Sequence, residues 1–363
     1  MRCLFLEPFA SLSHLYLYQS LVSLFPEWEW TLHSLPDRQW KWRNRLGALQ
    51  FSQRIDIHAE YDVLIAGSLL HLPELLALCP QLHAARKIVY FHENQFAYPS
   101  RTALTESDKQ IMYNSITTAL SADVVLFNSQ YNLNTFMKGA DAFLNKLPVE
   151  LECEAIMNQI TSNSHVFPIP IRISPGDFAE RSDPPAILWN HRWEHDKGPE
   201  LFFEALFKLK EGGAGFQLIV AGERFDTAPA IFELARKKLH DHIVSFGFVP
   251  ERAEYEKLLA RADIVVSTAA QEFYGISIIE AVACGSVPVV PDALSYSELF
   301  PIDNRIPCGA LESLVKKLSA FLDLGAGGLP TRQEVSELAK PYLQATDPDK
   351  WRQRFQRFVT VHD

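Results

Sequence analysis

Cysteine is scarce, and what there is does not pair. Cys3, Cys79, Cys153, Cys284 and Cys308 are scattered along the chain, and none stands in a C-x-x-C. That argues against a zinc ribbon or a disulfide framework and predicts reduced, mostly buried thiols of the kind a reducing cytosol keeps. No run reaches the ~18 apolar residues of a spanning helix. The opening run Met1–Leu6 breaks at Glu7 and Pro8, too soon for a signal peptide. The expectation is a soluble, cytoplasmic protein with no membrane partner. Excess positive charge is also missing. A formal net charge of −10 disfavours a general DNA- or RNA-coating protein and leaves room only for a local basic patch. The only D-x-D, Asp347-Pro348-Asp349, reads as a turn and helix cap, so no metal is expected and no cofactor. The first loop, Glu7 to His14, lacks the G-x-G-x-x-G of a dinucleotide site, which counts against a dehydrogenase.

What is present is an α/β pattern. The 363 residues are 47% hydrophobic and 21% charged, enough for two cores. Short β-branched runs alternate with longer amphipathic stretches, the mark of βαβ units and parallel sheets. The expected strands are Cys3–Leu6, Trp30–His33, Val63–Ala66, Ile88–Phe91, Val124–Phe127 and Val166–Ile169. In the second half they are Ile187–Trp189, Gln217–Ala221, Val244–Phe246, Ile264–Ser267 and Val287–Val290. Each half supports its own doubly wound, Rossmann-like sheet, and no internal repeat is visible. Pro168, Pro170, Pro175, Pro184 and Pro185 crowd the boundary, giving domains at 1–172 and 173–345. A C-terminal segment, 346–363, carries Trp351, Phe355 and Phe358 at helical spacing, a docking face toward the first domain. Gly325-Ala326-Gly327-Gly328 should interrupt the helices before it.

The segment Gln271 to Ala281 carries the most chemistry. Strand, glycine turn at Gly275 and helix together present backbone N–H groups where a phosphate can bind, and Phe273, Tyr274, Ile276 and Ser277 belong to that turn. Glu272 would sit at the strand's carboxyl end, where open sheets bind ligands, and Glu280 one turn into the helix. Two carboxylates repel phosphate but suit hydroxyls, because an ionised carboxylate only accepts. One acid for a ribose and one for a transferred sugar is the reading; a surface Glu and a solvated Glu are the plain alternative. Arg192 and Lys197 offer the fork and the point charge that neutralise a diphosphate, unless they merely pair with Glu194 and Asp196 in solvent. His92 ends a strand and can contact a sugar hydroxyl or a reacting phosphate, although strand-end histidines are commonly structural.

The densest basic segment runs from Pro36 to Arg45, with Trp40 and Trp42 interleaved among Arg38, Lys41, Arg43 and Arg45. Cations for phosphate and rings for unstacked bases are what single-stranded RNA recognition needs. The competing view buries the tryptophans while the cations snorkel outward.

Glu272 to Glu280, followed by Ala281, Gly285 and Pro288, resembles the E-x7-E signature of retaining GT-B glycosyltransferases. His191-Arg192, Lys197-Gly198, the Leu218–Gly222 strand and His92 follow in that clan's order. A narrower set, Gln39 to Arg43, Phe51 to Gln53, Phe91 to Gln95, Phe127 to Ser129 and Trp189 to Lys197, resembles the tRNA-queuosine α-mannosyltransferase family nearly end to end. The resemblance implies two Rossmann-like domains facing a cleft, and transfer of mannose from GDP-mannose, or another nucleotide-sugar, to queuosine in the anticodon loop of aspartate tRNA. It implies that Glu272 contacts the donor sugar and Glu280 the ribose, and that Arg192 and Lys197 hold the diphosphate with help from the Tyr274–Ser277 backbone. It places His92 at the transferred sugar. Acceptor contacts are expected from Ser13, His14, Trp40, Lys41, Arg43, Arg45, Glu93, Asn94 and Gln95. Two departures stand out: His191 replaces the clan's glycine before the arginine, and Phe9–His14 replaces its glycine-rich first loop. The other readings are a same-clan transferase with a small-molecule, lipid or glycan acceptor, and a non-catalytic sugar-nucleotide or RNA-binding protein.

Overall fold

The structure, a computed structural model, describes residues 1–98, 104–173, 178–224 and 228–360; Pro175 lies outside them. The chain divides into two compact units, Met1–Pro170 with Asp347–Asp363, and Ile171–Thr346. Among the described residues no helix is long and apolar enough to cross a membrane.

The first unit holds strands β1 (Arg2–Glu7), β2 (Glu29–Ser34), β3 (Val63–Gly67), β4 (Arg86–Phe91), β5 (Val124–Phe127) and β6 (Ser164–Val166). They form one parallel sheet in the order β2-β1-β3-β4-β5-β6. β3 and β5 are buried at every residue, as expected of strands covered by helices on both faces. That is why they read as unbroken apolar runs. The expected strand Val166–Ile169 ends earlier, at Val166. Phe167 still donates its N–H to Phe127 O at 2.8 Å, but Pro168 and Pro170 have no N–H to extend the ladder.

The second unit holds β7 (Ala186–Trp189), β8 (Gln217–Ala221), β9 (Ile243–Gly247), β10 (Ile264–Val266), β11 (Val287–Pro291) and β12 (Arg305–Ile306). Its order is β12-β11-β10-β7-β8-β9, again parallel. β12 was not expected; two residues carry no periodicity to read. In both sheets the winding reverses beside the first strand, between β1 and β3 and between β7 and β10. Such switch points open a crevice beyond the strands' carboxyl ends.

The helix Pro348–Val359 belongs to the first unit. Asp347 caps it by accepting the Lys350 N–H at 2.9 Å, and the buried Trp351 and Phe355 pack on Phe167 and Phe25. Val361 lies outside the described residues. The helix Leu311–Gly328 is broken at Gly325, whose φ of 61° and ψ of −174° are not helical. The thiols are less uniform than expected. Cys3 and Cys79 are buried, Cys153 and Cys284 half-buried, and Cys308 is exposed.

Candidate functional site

In the second unit, Arg192 and Lys197 follow β7, and Glu272 follows β10, so all three stand at the switch point. The turn between Lys197 and the helix Pro199–Glu211 needs Gly198. Its φ is +62°, and a Cβ there would lie 2.2 Å from Thr268 O. Thr268 Oγ1 donates within reach of both Lys197 O and Gly198 O, at 3.0 and 2.9 Å, and Ala270 N–H donates to Asp196 O at 2.8 Å. The loops after β7 and β10 are thus tied to each other.

Lys197 is 8% exposed. Its Nζ donates to Gln271 O at 2.8 Å and lies 3.5 Å from Glu272 Oε2 and 3.3 Å from Asp196 Oδ2. Burial pulls its pKa down, but the charges of Glu272 and Asp196 more than offset this and leave it raised. Burial likewise pushes the Glu272 carboxyl up, and Lys197, His191, the Tyr274 N–H and Arg192 more than reverse it. Glu272 Oε1 also accepts the N–H groups of Phe273 and Tyr274, at 3.1 and 3.3 Å. The pairing of Lys197 with Asp196 in solvent is therefore only half right, because Lys197 is inside. Arg192 does meet Glu194, at 3.1 Å, in a half-open position.

Gly275, at φ +90°, caps the helix Ile276–Ala283. Its carbonyl accepts the N–H groups of Ile278 and Ile279, so the amides of Ile276 and Ser277 form the positive end of the helix. Glu280 lies in that helix and is buried, with Oε1 2.7 Å from Arg252 Nη2. Sequence spacing gave no hint of Arg252, which comes from a different helix, Arg252–Arg261.

His191 is buried, and burial together with the Lys197 charge pulls its imidazole down to about 4. A histidine depressed in the folded state is neutral there while the unfolded chain still takes up a proton below about pH 6.5. Its contribution is present above pH 6.5 and is lost as pH falls toward 4. Between pH 7 and 5 the loss should be about 2 kcal/mol. The expected NMR titration shows the His191 imidazole neutral at pH 5.5; a midpoint near 6.5 would contradict this account.

In the first unit, Ser11 caps the helix Leu12–Leu24 and accepts the His14 N–H at 3.4 Å. This sets His14 on the first turn, above the end of β1. Ser13 is exposed, with its hydroxyl 3.1 Å from that of Ser11. His92 lies one residue past β4. Its ring stacks on that of His14, with centroids 4.1 Å apart and an 11° tilt, and burial, then the His14 charge, holds its pKa well below the usual histidine value. Glu7, the last residue of β1, reaches both: Oε1 is 3.1 Å from His14 Nδ1, and Oε2 is 3.7 Å from His92 Nε2. Glu7 has no counterpart in the sequence pattern, since one acid at a strand end carries no spacing signal.

The loop after His92 divides. Asn94 is buried and committed to the fold. Its amide donates to Asn132 and Thr135, and its Oδ1 accepts the N–H groups of Phe96 and Ala97. Its expected acceptor contact is replaced by this loop-holding role, because a buried amide must spend its bonds. Glu93 and Gln95 are half-buried, and Glu93 accepts from the Tyr98 hydroxyl at 3.3 Å.

The basic segment becomes the helix Trp40–Ser52. Trp42 is 53% exposed, so the view that the tryptophans bury fails there; Trp40 is half-buried. Lys41 pairs with Asp108 at 2.7 Å, and its hydrogen bond, with that from Thr105, pulls the Asp108 carboxyl down to about 2. Arg43 donates to Pro36 O and Gln50, and Arg45 to Ser107 while lying over the Trp42 ring.

Two six-stranded parallel units, each with a switch-point crevice, together with the matches that follow, make the chain a GT-B glycosyltransferase. Residues 2–171 match the family profile described as tRNA-queuosine alpha-mannosyltransferase N-terminal, and residues 171–340 match glycosyl transferases group 1. The chain is 40% identical over 330 residues to a Drosophila melanogaster tRNA-queuosine alpha-mannosyltransferase, covering 88% of this chain and 86% of that one. It belongs to the tRNA-queuosine alpha-mannosyltransferase family. A 123-residue stretch is 30% identical to a Mycobacterium tuberculosis GDP-mannose-dependent phosphatidylinositol dimannoside mannosyltransferase, covering 33% of this chain and 31% of that protein. In fold the chain is similar to a sucrose-phosphate synthase from Thermosynechococcus elongatus, with a TM-score of 0.73 at 13% identity and 98% coverage of each chain. It is also similar to Anabaena HepE in complex with UDP and glucose, with a TM-score of 0.66 at 14% identity, covering 99% of this chain and all of that one.

Proposed function

We propose that this glycosyltransferase moves mannose, with retention of configuration, from GDP-mannose to the cyclopentenediol of queuosine in aspartate tRNA, in the cytoplasm. The family membership supports the acceptor, and the related GDP-mannose-dependent enzyme supports the donor. The observation that carries the chemistry is the buried Lys197–Glu272 pair beside the helix that starts at Ile276.

Lys197, Arg192 and the Ile276 and Ser277 amides would take the diphosphate, whose charge grows as the glycosyl bond breaks. Glu272 accepts from the hydroxyls of the transferred sugar, and Glu280 from the ribose. Phe273, Tyr274 and Gly275 shape the turn that holds them. With two cations and a helix end on the leaving group, no metal is needed. The departing phosphate accepts the proton of the attacking hydroxyl on the same face, so the reaction needs no carboxylate nucleophile. His92 contacts the transferred sugar. His14 and Ser13, with Glu93 and Gln95, serve the acceptor.

The helix with Trp40, Lys41, Trp42, Arg43 and Arg45 would grip the anticodon loop, its cations exchanging their present partners for phosphates and Trp42 offering a stacking face. Replacing Lys41, Arg43 and Arg45 together by alanine should weaken tRNA binding at least tenfold at low salt. It should also reduce the slope of log affinity against log salt by about 2, each lost phosphate contact removing roughly 0.7–0.9. Unchanged affinity and slope would remove this helix from the acceptor interface.

A further inference from the structure

We infer that Arg252 is a positioning residue for the nucleotide: its guanidinium holds the buried Glu280 carboxylate where that group accepts the hydroxyls of the ribose. This deepens the transferase reading and rests on its assignment of Glu280 to the ribose.

Glu280 belongs to the helix Ile276–Ala283, and its side chain is only 4% exposed. A carboxylate taken out of water is costly unless a cation and hydrogen bonds compensate it. Arg252 is that cation, with Nη2 2.7 Å from Oε1. It opens the neighbouring helix Arg252–Arg261, which follows β9.

Its direction is set from two other sides. One turn on, Glu256 Oε1 accepts from Arg252 Nε at 2.7 Å, and the guanidinium lies over the Tyr255 ring, 5.5 Å from the centroid. The Tyr255 hydroxyl accepts from Asn190 Nδ2 at 3.0 Å, and the same amide donates to Ser277 O at 2.8 Å. Asn190 directly follows β7, so the ring beneath Arg252 is tied to the switch point and to the start of the helix that carries Glu280. A planar fork can serve Glu256 and Glu280 at once, which a point charge cannot do with the same geometry. The pair with Glu256 alone is an exposed helix pair of little weight; the contact with a buried acid is the one with consequence.

One guanidinium N–H takes one of the roughly four acceptor positions of a carboxylate, so Arg252 orients Glu280 without claiming every position a hydroxyl could use. A second acceptor belongs to the same cluster. Asn190 Oδ1 is buried with no hydrogen-bond partner, and a buried amide oxygen in that state is completed by a ligand or a water.

The test is calorimetric binding of GDP and of its 2′,3′-dideoxy form to the full-length wild type, Arg252→Ala and Arg252→Lys. In the wild type, loss of the two hydroxyls should weaken binding at least about tenfold, the value of a hydrogen bond to a charged group. Arg252→Ala should bind GDP at least about tenfold more weakly than wild type, yet bind the dideoxy nucleotide within about threefold of it. The lysine variant keeps the charge but not the fork; it should lose a smaller share, again for GDP alone, and carries the same comparison if the alanine variant is unstable. KM for GDP-mannose should rise with the loss of GDP affinity while kcat stays within about threefold, as when binding common to substrate and transition state is removed. A merely structural role would weaken both nucleotides alike. That result, an unchanged preference for GDP in Arg252→Ala, or equal binding of both nucleotides by the wild type would overturn the inference and leave the transferase reading standing. A wild type that binds neither nucleotide would overturn the GDP-mannose reading, and the ribose role of Glu280 with it.

Discussion

Replacing Glu272 by alanine should lower kcat/KM for mannosyl transfer by about 10³-fold while leaving the fold and GDP affinity nearly unchanged. The size follows from the role proposed for the carboxylate. Charge-assisted hydrogen bonds contribute about 1.5–3 kcal/mol each, and two lost sugar hydroxyl contacts therefore amount to roughly 10²–10⁴ in rate. The fold should survive because Lys197, the buried neighbour, keeps Gln271 O at 2.8 Å and Asp196 at 3.3 Å. Its charge is not orphaned, which separates this pair from buried pairs whose rupture costs several kcal/mol. Steady-state kinetics and calorimetric GDP titration check the two halves. A Glu272→Ala enzyme within tenfold of wild type would take the carboxylate out of sugar recognition.

Lys197→Ala should be as damaging to turnover but differ in where the loss falls. The ammonium would lie against the leaving diphosphate, so both the bound nucleotide and the transition state lose it. GDP should bind about 10–100-fold more weakly, the value of one charge-assisted bond. The rate should fall at least 10³-fold further, as when a cation that stabilises transferring phosphate charge is removed. Glu272 would also lose the cation that holds its carboxyl low, so the rate of Lys197→Ala should drop at a higher pH than that of wild type on the acid limb. Unchanged GDP affinity would reassign Lys197 to holding Glu272 and the Gln271 carbonyl alone.

Much of this was legible in the sequence because parallel strands buried on both faces must be short and apolar. Val124–Phe127 and Gln217–Ala221 could be read to the residue. The turn at Gly275 was visible for a similar reason: glycine at positive φ acts through the backbone. Side-chain company was not legible. Glu7 meets Gly67, at the end of β3, and His92 only because β1, β3 and β4 lie near one another in the sheet, and strand order is not written in any local pattern. Arg252 meets Glu280 from a separate helix for the same reason. Asn94 sat inside a segment that resembles the family, yet burial turned it inward to brace its own loop. Lys41 and Arg45 read as free cations, whereas Asp108 and Ser107 now engage them. For these last two, the proposed RNA binding would be an exchange of partners, with a net gain smaller than the charge count suggests.

What is transferred, and onto what, can be read directly from the product. Purified aspartate tRNA, with and without queuosine, should be incubated with the protein and GDP-mannose in a metal chelator, and its nucleosides weighed by mass spectrometry. The prediction is the mass gain of one hexose on queuosine, absent from tRNA that carries guanine at that position. No gain on either tRNA, or an equal gain on both, would contradict it.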